Sequence, residues 1–81
     1  MVLFAANISF ETSEKELDDL FSQYGEVQKC KLAVAKETGR SKGYAFIEME
    51  VPGAIHAMSE LENYDLNGRP LKVREAEVRN K

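Results

Sequence analysis

Along the chain the spacing of apolar residues switches between a period of two and a period near 3.6. The order of those switches constrains the fold more than any single residue does. Residues 2–6, Val-Leu-Phe-Ala-Ala, read as a short strand. Ser13 opens a helix, and Glu16 three residues on completes a capping box, in which hydroxyl and carboxylate each satisfy an orphan backbone N–H. Leu17, Leu20, Phe21 and Tyr24 follow at i, i+3, i+4 and i+7 as one apolar stripe, and Gly25 stands where a left-handed residue would end the helix. In residues 27–34, Cys30, Leu32 and Val34 alternate with Lys29, Lys31 and Ala33. Residues 37–41 read as a loop and 43–49 as a third strand. Pro52, tolerated at a first helical position, precedes a second stripe of Ala54, Ala57, Met58 and Leu61. Asn67-Gly68 marks a turn, and residues 71–75 set Leu71 and Val73 against Lys72 and Arg74. Strands are therefore predicted at 2–6, 27–34, 43–49 and 71–75, and helices at 14–24 and 53–62. This is the β-α-β-β-α-β order of the split, ferredoxin-like α+β unit. Right-handed crossovers put both helices on one face of a four-stranded antiparallel sheet and leave the other face uncovered.

The chain has 81 residues, enough for a single domain over 1–81. A chain this short buries only about 60% of its unfolded surface, so its core is small. Low-complexity tracts and Pro/Gly/Ser linkers are absent from the sequence. The longest apolar run, Met1 to Ala6, ends at Asn7, so neither a membrane span nor a signal peptide is expected. Cys30 is the sole cysteine, which rules out an intrachain disulfide and favours a reducing, intracellular compartment. The cytoplasm is the first expectation, with nucleus and plastid as alternatives.

A formal charge of −3 argues against nucleic acid when taken as a sum, but the distribution matters more. Residues 11–26 and 43–66 are acidic. Residues 27–42 carry Lys29, Lys31, Lys36, Arg40 and Lys42 against Glu37 alone, and residues 67–81 are again basic. A fold can gather the two basic blocks on one surface and turn the acids to the other.

Alternation says what the uncovered face carries. In the third strand, Ala45, Ile47 and Met49 suit packing under helices, which leaves Tyr44, Phe46 and Glu48 outward. By the same logic Leu3 and Ala5 point inward and Phe4 outward. The first and third strands are the central pair of this topology, so Phe4, Tyr44 and Phe46 should lie together on an exposed sheet surface. Lys29, Lys31, Lys72 and Arg74 point outward on the flanking strands, Lys42 begins the third strand, and Arg40 precedes it. An aromatic platform in a basic frame suits stacked bases and phosphates. Each aromatic taken singly is more often core than site. A core role for all three would need a second covering layer, and the tail from Ala76 to Lys81 is too short and polar to supply one.

These residues resemble the RNA-recognition motif family. Lys42-Gly43-Tyr44-Ala45-Phe46-Ile47-Glu48-Met49 matches the family octamer at every position but the last, and Leu3-Phe4-Ala5-Ala6-Asn7-Ile8 resembles its first-strand motif. The resemblance covers residues 2 to about 78 and looks like the small single-motif proteins of bacteria and plastids. It implies single-stranded RNA as partner, with single-stranded DNA as a variant, and a monomer without membrane contact. It further implies that Phe4 and Tyr44 each stack on a base, Phe46 packs against a sugar or between neighbouring nucleotides, and Lys42 contacts a phosphate. Outward residues of the flanking strands and the backbone around Glu75 and Ala76 would read base edges. Three departures stand out. Met49 replaces the final aromatic at a core-facing position. Ala5 and Ala6 stand where Val and Gly are commoner. Val34 and Ala35 replace what is often a basic residue and an Asp, leaving that edge less charged.

The remaining residues offer little chemistry. His56 falls on the water side of its helix, Cys30 alternates with core positions as an inert thiol, and no cluster of metal ligands is present. An acylphosphatase-like enzyme on the same scaffold would need a Gly-rich anion loop with its Arg after the first strand, where Asn7-Ile8-Ser9-Phe10 stands. No enzyme, cofactor or metal is expected. The alternative to RNA binding is a protein-interaction module on the same fold, although such variants often lose the aromatic or basic residues that are present here.

Overall fold

The computed structural model describes residues 1–76. Its elements are β1 (Val2–Ala6), α1 (Glu14–Ser22), β2 (Val27–Val34), β3 (Ser41–Met49), α2 (Val51–Leu61), β4 (Asp65–Leu66), β5 (Arg69–Pro70) and β6 (Lys72–Glu75). Four strands pair in the order β2-β3-β1-β6, all antiparallel, and β4 and β5 form a separate small hairpin. The predicted β-α-β-β-α-β order thus holds, with the hairpin inserted before the last strand. Expectations about residues 77–81 lie outside the described residues.

Ser13 caps α1 as its spacing predicts. Its hydroxyl accepts the Glu16 N–H at 3.1 Å, and the Glu16 carboxylate accepts the Ser13 N–H at 2.9 Å. The helix ends at Ser22, two residues before the predicted 24, with Gln23 in right-handed geometry as its C-cap. Gly25 is not left-handed, which corrects the cap read from the sequence. Its small size serves a close approach instead: a Cβ there would stand 3.0 Å from the Cα of Gly53 in α2. The second helix runs from 51 to 61 against a predicted 53–62. Pro52 falls in its first turn, where a missing N–H removes no helical hydrogen bond. In the hairpin, Asn67 and Gly68 both have positive φ, 53° and 89°, which the type I′ turn between two-residue strands requires.

Both helices cover the same side of the sheet. Leu17, Leu20 and Phe21 of α1 and Ala54, Ala57 and Leu61 of α2 pack against Leu3, Ala5, Ala45, Ile47, Met49 and Val73. Ala45, Ile47 and Met49 are wholly buried, as their alternation predicts. Leu71 is buried as well, but it precedes the strand, held by backbone bonds with Asn63 and Tyr64. The result is a two-layer slab measuring 35 × 34 × 17 Å.

Glutamates supplied from the helical layer occupy both outer strands. Glu14 of α1 accepts the Leu32 N–H of β2 at 2.8 Å, and Glu62, the C-cap of α2, accepts the Val73 N–H of β6 at 2.9 Å. Each carboxylate fills a donor that an approaching foreign strand would otherwise use. Among the described residues no helix is long and apolar enough to cross a membrane.

Candidate nucleic-acid interface

The face opposite the helices is built by register. Phe4 of β1 stands beside Phe46 of β3 on one flank and Arg74 of β6 on the other. Ala6 pairs with Tyr44 and with Lys72 in the same way, and Lys31 of β2 pairs with Phe46. Side chains that share a register pair share a face. Phe4, Tyr44 and Phe46 therefore converge on the surface that no helix covers. Ring centroids lie 5.6 Å apart for Phe4 and Tyr44, 5.3 Å for Phe4 and Phe46, and 6.1 Å for Tyr44 and Phe46. Phe46 keeps 42% of its surface exposed, while Phe4 and Tyr44 are half-buried by one another and by Phe46.

Gly43 sets the entrance to this strand. Its φ of +88° is one that side-chain-bearing residues rarely adopt. Its carbonyl accepts the Ile8 N–H at 3.0 Å, and its N–H donates to the Ser41 hydroxyl at 3.0 Å. The β2–β3 register shifts between Leu32 and Val34, and the kink leaves Lys42 exposed beside Tyr44.

The cations divide into two kinds. Lys29, Lys31, Lys36, Arg40 and Lys42 are exposed on the β2–β3 side, and among the described residues none is in an ion pair. Lys29 and Lys31 line a shallow cleft of about 210 Å3 with Val2, Phe46 and Glu48, so one carboxylate stands within the basic group. On the β6 side the cations are engaged. Arg74 donates to the Glu62 carboxylate at 2.7 Å and to the Val73 carbonyl at 2.9 Å, and Lys72 donates to the Asn63 side-chain oxygen. Arg69 donates to the Asn7 side-chain oxygen at 2.7 and 3.2 Å. Glu62 lies below its ordinary pKa of 4.5, chiefly because the Val73 N–H holds the charged form and secondly because Arg74 does. Glu75 pairs with Leu3 at the open end of β6, and the Ala76 N–H donates to the Val2 carbonyl at 2.8 Å.

The remaining chemistry is sparse. Cys30 is half-buried beneath α1, and burial, with Asp18 and Glu14 nearby, pushes its thiol up to about 11. His56 is exposed and meets Tyr24 edge-on at 5.1 Å, which helps close the seam between the helices. Among the described residues no three His, Cys, Asp or Glu side chains come together as a metal site. Two residues that the sequence reading did not single out bear on the site. Glu62 engages Arg74, and Phe10, 71% exposed, stands at the end of the sheet near Gly43.

Comparison with known proteins gives a consistent result. Residues 3–72 match the family model described as the RNA recognition motif. Over 80 residues the chain is 38% identical to a Nostoc sp. protein named "Putative RNA-binding protein RbpD", an overlap covering 98% of this chain and 85% of that one. Among solved structures, it matches RNA binding protein PG1 with a TM-score of 0.91 and 36% identity, covering 100% of this chain and 99% of that one. The Rna15 RRM with bound RNA (GU) matches with a TM-score of 0.85 and 36% identity, covering 93% and 81%.

Proposed function

This chain belongs to the RNA recognition motif family, and from that premise we infer that it binds single-stranded RNA on the open face of its sheet, without catalysis. The observation that carries this reading is the contact among Phe4, Tyr44 and Phe46 on a face with no cover among the described residues. Exposed aromatic rings at this spacing offer π surfaces to two or three successive bases. Phe4 and Tyr44 each take a base, and Phe46 packs against a sugar. Lys42 meets a phosphate, and Lys29, Lys31 and Arg40 supply the field that draws the strand in. Lys72 and Arg74 join once they exchange their internal partners for phosphate. The backbone at Glu75 and Ala76 reads a base edge at the end of β6. The domain acts as a monomer inside the cell, and single-stranded DNA can use the same rings.

The test is a titration of the isotope-labelled domain with a mixed-sequence single-stranded RNA pool, followed by amide shifts. Shifts concentrated on β1 and β3, weakening as salt rises, are the expected result. Shifts confined to the helical face, or recovery of a protein partner that survives nuclease, would replace RNA binding with protein docking.

A further inference from the structure

We propose that the RNA strand leaves the platform over the β2 edge, not the β6 edge, and that a further nucleotide beyond the sheet seats against Phe10 with its phosphate on Arg40. This rests on the RNA-binding reading above and extends it to residues outside the open face. Two clefts mark the route. The first, of about 630 Å3, is lined by Tyr44, Lys31, Lys36 and Lys42, and by one carboxylate, Glu14. The second, of about 660 Å3, is lined by Phe10, Arg40 and Glu11, with hydroxyls from the start of α1. Leu32 and Val34 line both, so the two clefts are contiguous around the edge of the sheet. A strand lying on Tyr44 thus meets three lysines before it reaches an aromatic wall and a guanidinium.

Charge and rigidity both favour that direction. Among the described residues Lys31, Lys36, Lys42 and Arg40 have no ion-pair partner, whereas Arg74, Lys72 and Arg69 on the opposite side are held by Glu62, Asn63 and Asn7. The carboxylates in the track number fewer than its cations, and the Glu14 carboxylate is already occupied by the Leu32 N–H. Phe10 is 71% exposed, yet its loop is pinned on both sides. Ile8 bonds Gly43, Thr12 bonds Ser9, and the buried Thr12 hydroxyl accepts the Asn67 amide at 2.8 Å. The Phe10 ring edge lies 3.7 Å from where a Cβ on Gly43 would stand, which places the ring beside the residue that precedes Tyr44. An exposed aromatic on a loop held by hydrogen bonds at both ends loses less freedom when it stacks a base.

The experiment measures dissociation constants by fluorescence anisotropy for labelled mixed-sequence RNA pools of four and ten nucleotides. Wild type, Phe10→Ala, Arg40→Gln and Tyr44→Ala are compared, each checked for folding by circular dichroism. The ten-nucleotide pool should gain over the four-nucleotide pool in wild type, and Phe10→Ala should cut that gain roughly ten-fold. Arg40→Gln should lower the log–log salt slope for the long pool by about 0.7. A Phe10→Ala variant with the wild-type ratio of long to short affinity overturns the proposal, even if Tyr44→Ala weakens both pools and so upholds the platform. If Tyr44→Ala leaves both affinities as in wild type, the platform reading itself fails and this one falls with it.

Discussion

The Glu62 carboxylate lies 2.7 Å from a guanidinium nitrogen of Arg74, and the same carboxylate accepts the Val73 N–H at 2.9 Å. One side chain at the end of α2 therefore covers an edge strand and engages a cation that stands beside Phe4 in register. Arg74 is exposed and Glu62 partly so, and pairs open to solvent on one side hold their partners weakly, so an RNA phosphate can compete for Arg74. Glu62→Gln keeps an acceptor for Val73 and removes the charge that holds the guanidinium. Its RNA affinity should rise, because Arg74 no longer has to leave a carboxylate to reach the phosphate. An affinity no higher than that of wild type would show that Arg74 meets no phosphate.

The same carboxylate sets an acid limb on stability. Its pKa is lowered in the folded chain, so its contribution is present above the unfolded value of 4.5 and is lost as pH falls through the folded value. Thermal melts from pH 7 to pH 3 should show a stability loss in wild type below about 4.5 that is reduced in Glu62→Gln. Parallel curves for the two proteins would mean that other carboxylates account for the acid limb.

The aromatic contact makes a prediction about coupling. Tyr44→Ala and Phe46→Ala should each weaken RNA binding by about 1–3 kcal/mol. Folding should suffer less, because these rings lie outside the buried core and ring pairs contribute roughly 0.5–1.5 kcal/mol. Phe4 touches both rings, so Phe4→Ala combined with Phe46→Ala should lose less RNA affinity than the two single losses added. Strict additivity in a double-mutant cycle would mean that the rings bind independently. Urea melts of the same variants separate the folding cost from the binding cost.

What the sequence disclosed was what depends on short-range pattern. Alternation put Ala45, Ile47 and Met49 inward and Tyr44 and Phe46 outward, because a strand reverses face at every residue. Ser13 and Glu16 declared the start of α1 because a capping box closes within four residues. Gly25 was misread because its role is set by Gly53, far along the chain, and steric fit between helices leaves no local trace. The β4–β5 hairpin was legible only as a turn, since two-residue strands have no period. Lys72 and Arg74 were placed on the correct face, but their engagement by Asn63 and Glu62 depends on how the helix end meets the sheet. Phe10 escaped notice because a lone aromatic in a loop belongs to no stripe.

Cys30 should be slow to react. Burial first, then Asp18 and Glu14, raise its thiol from 9.0 to about 11. At pH 8 this cuts the thiolate fraction about 100-fold relative to the unfolded chain. Labelling with a disulfide reagent should be slower in buffer than in denaturing urea by about that factor. Equal rates would show that the thiol is more open than its position beneath α1 implies. The linked stabilisation is present below pH 9.0 and fades as pH rises toward about 11.

Gly53 tests the helical layer without touching the open face. A Cβ there would stand 2.8 Å from the Tyr24 carbonyl oxygen and 3.1 Å from the Gly25 Cα. Both are backbone atoms of the turn that follows α1, so a methyl group can be accommodated only by moving α2 against that turn. In an open helix, Gly→Ala gains about 1 kcal/mol from propensity. Here overpacking of about 1–3 kcal/mol opposes it, and the net effect should be destabilising. A urea melt of Gly53→Ala should show a lower midpoint with an unchanged slope. RNA affinity of the folded fraction should match wild type, because Phe4, Tyr44 and Phe46 lie on the other side of the sheet. A midpoint equal to or above that of wild type would mean that the seam between α1 and α2 yields to an added methyl, and that the Gly25–Gly53 approach is not what fixes the helices in place.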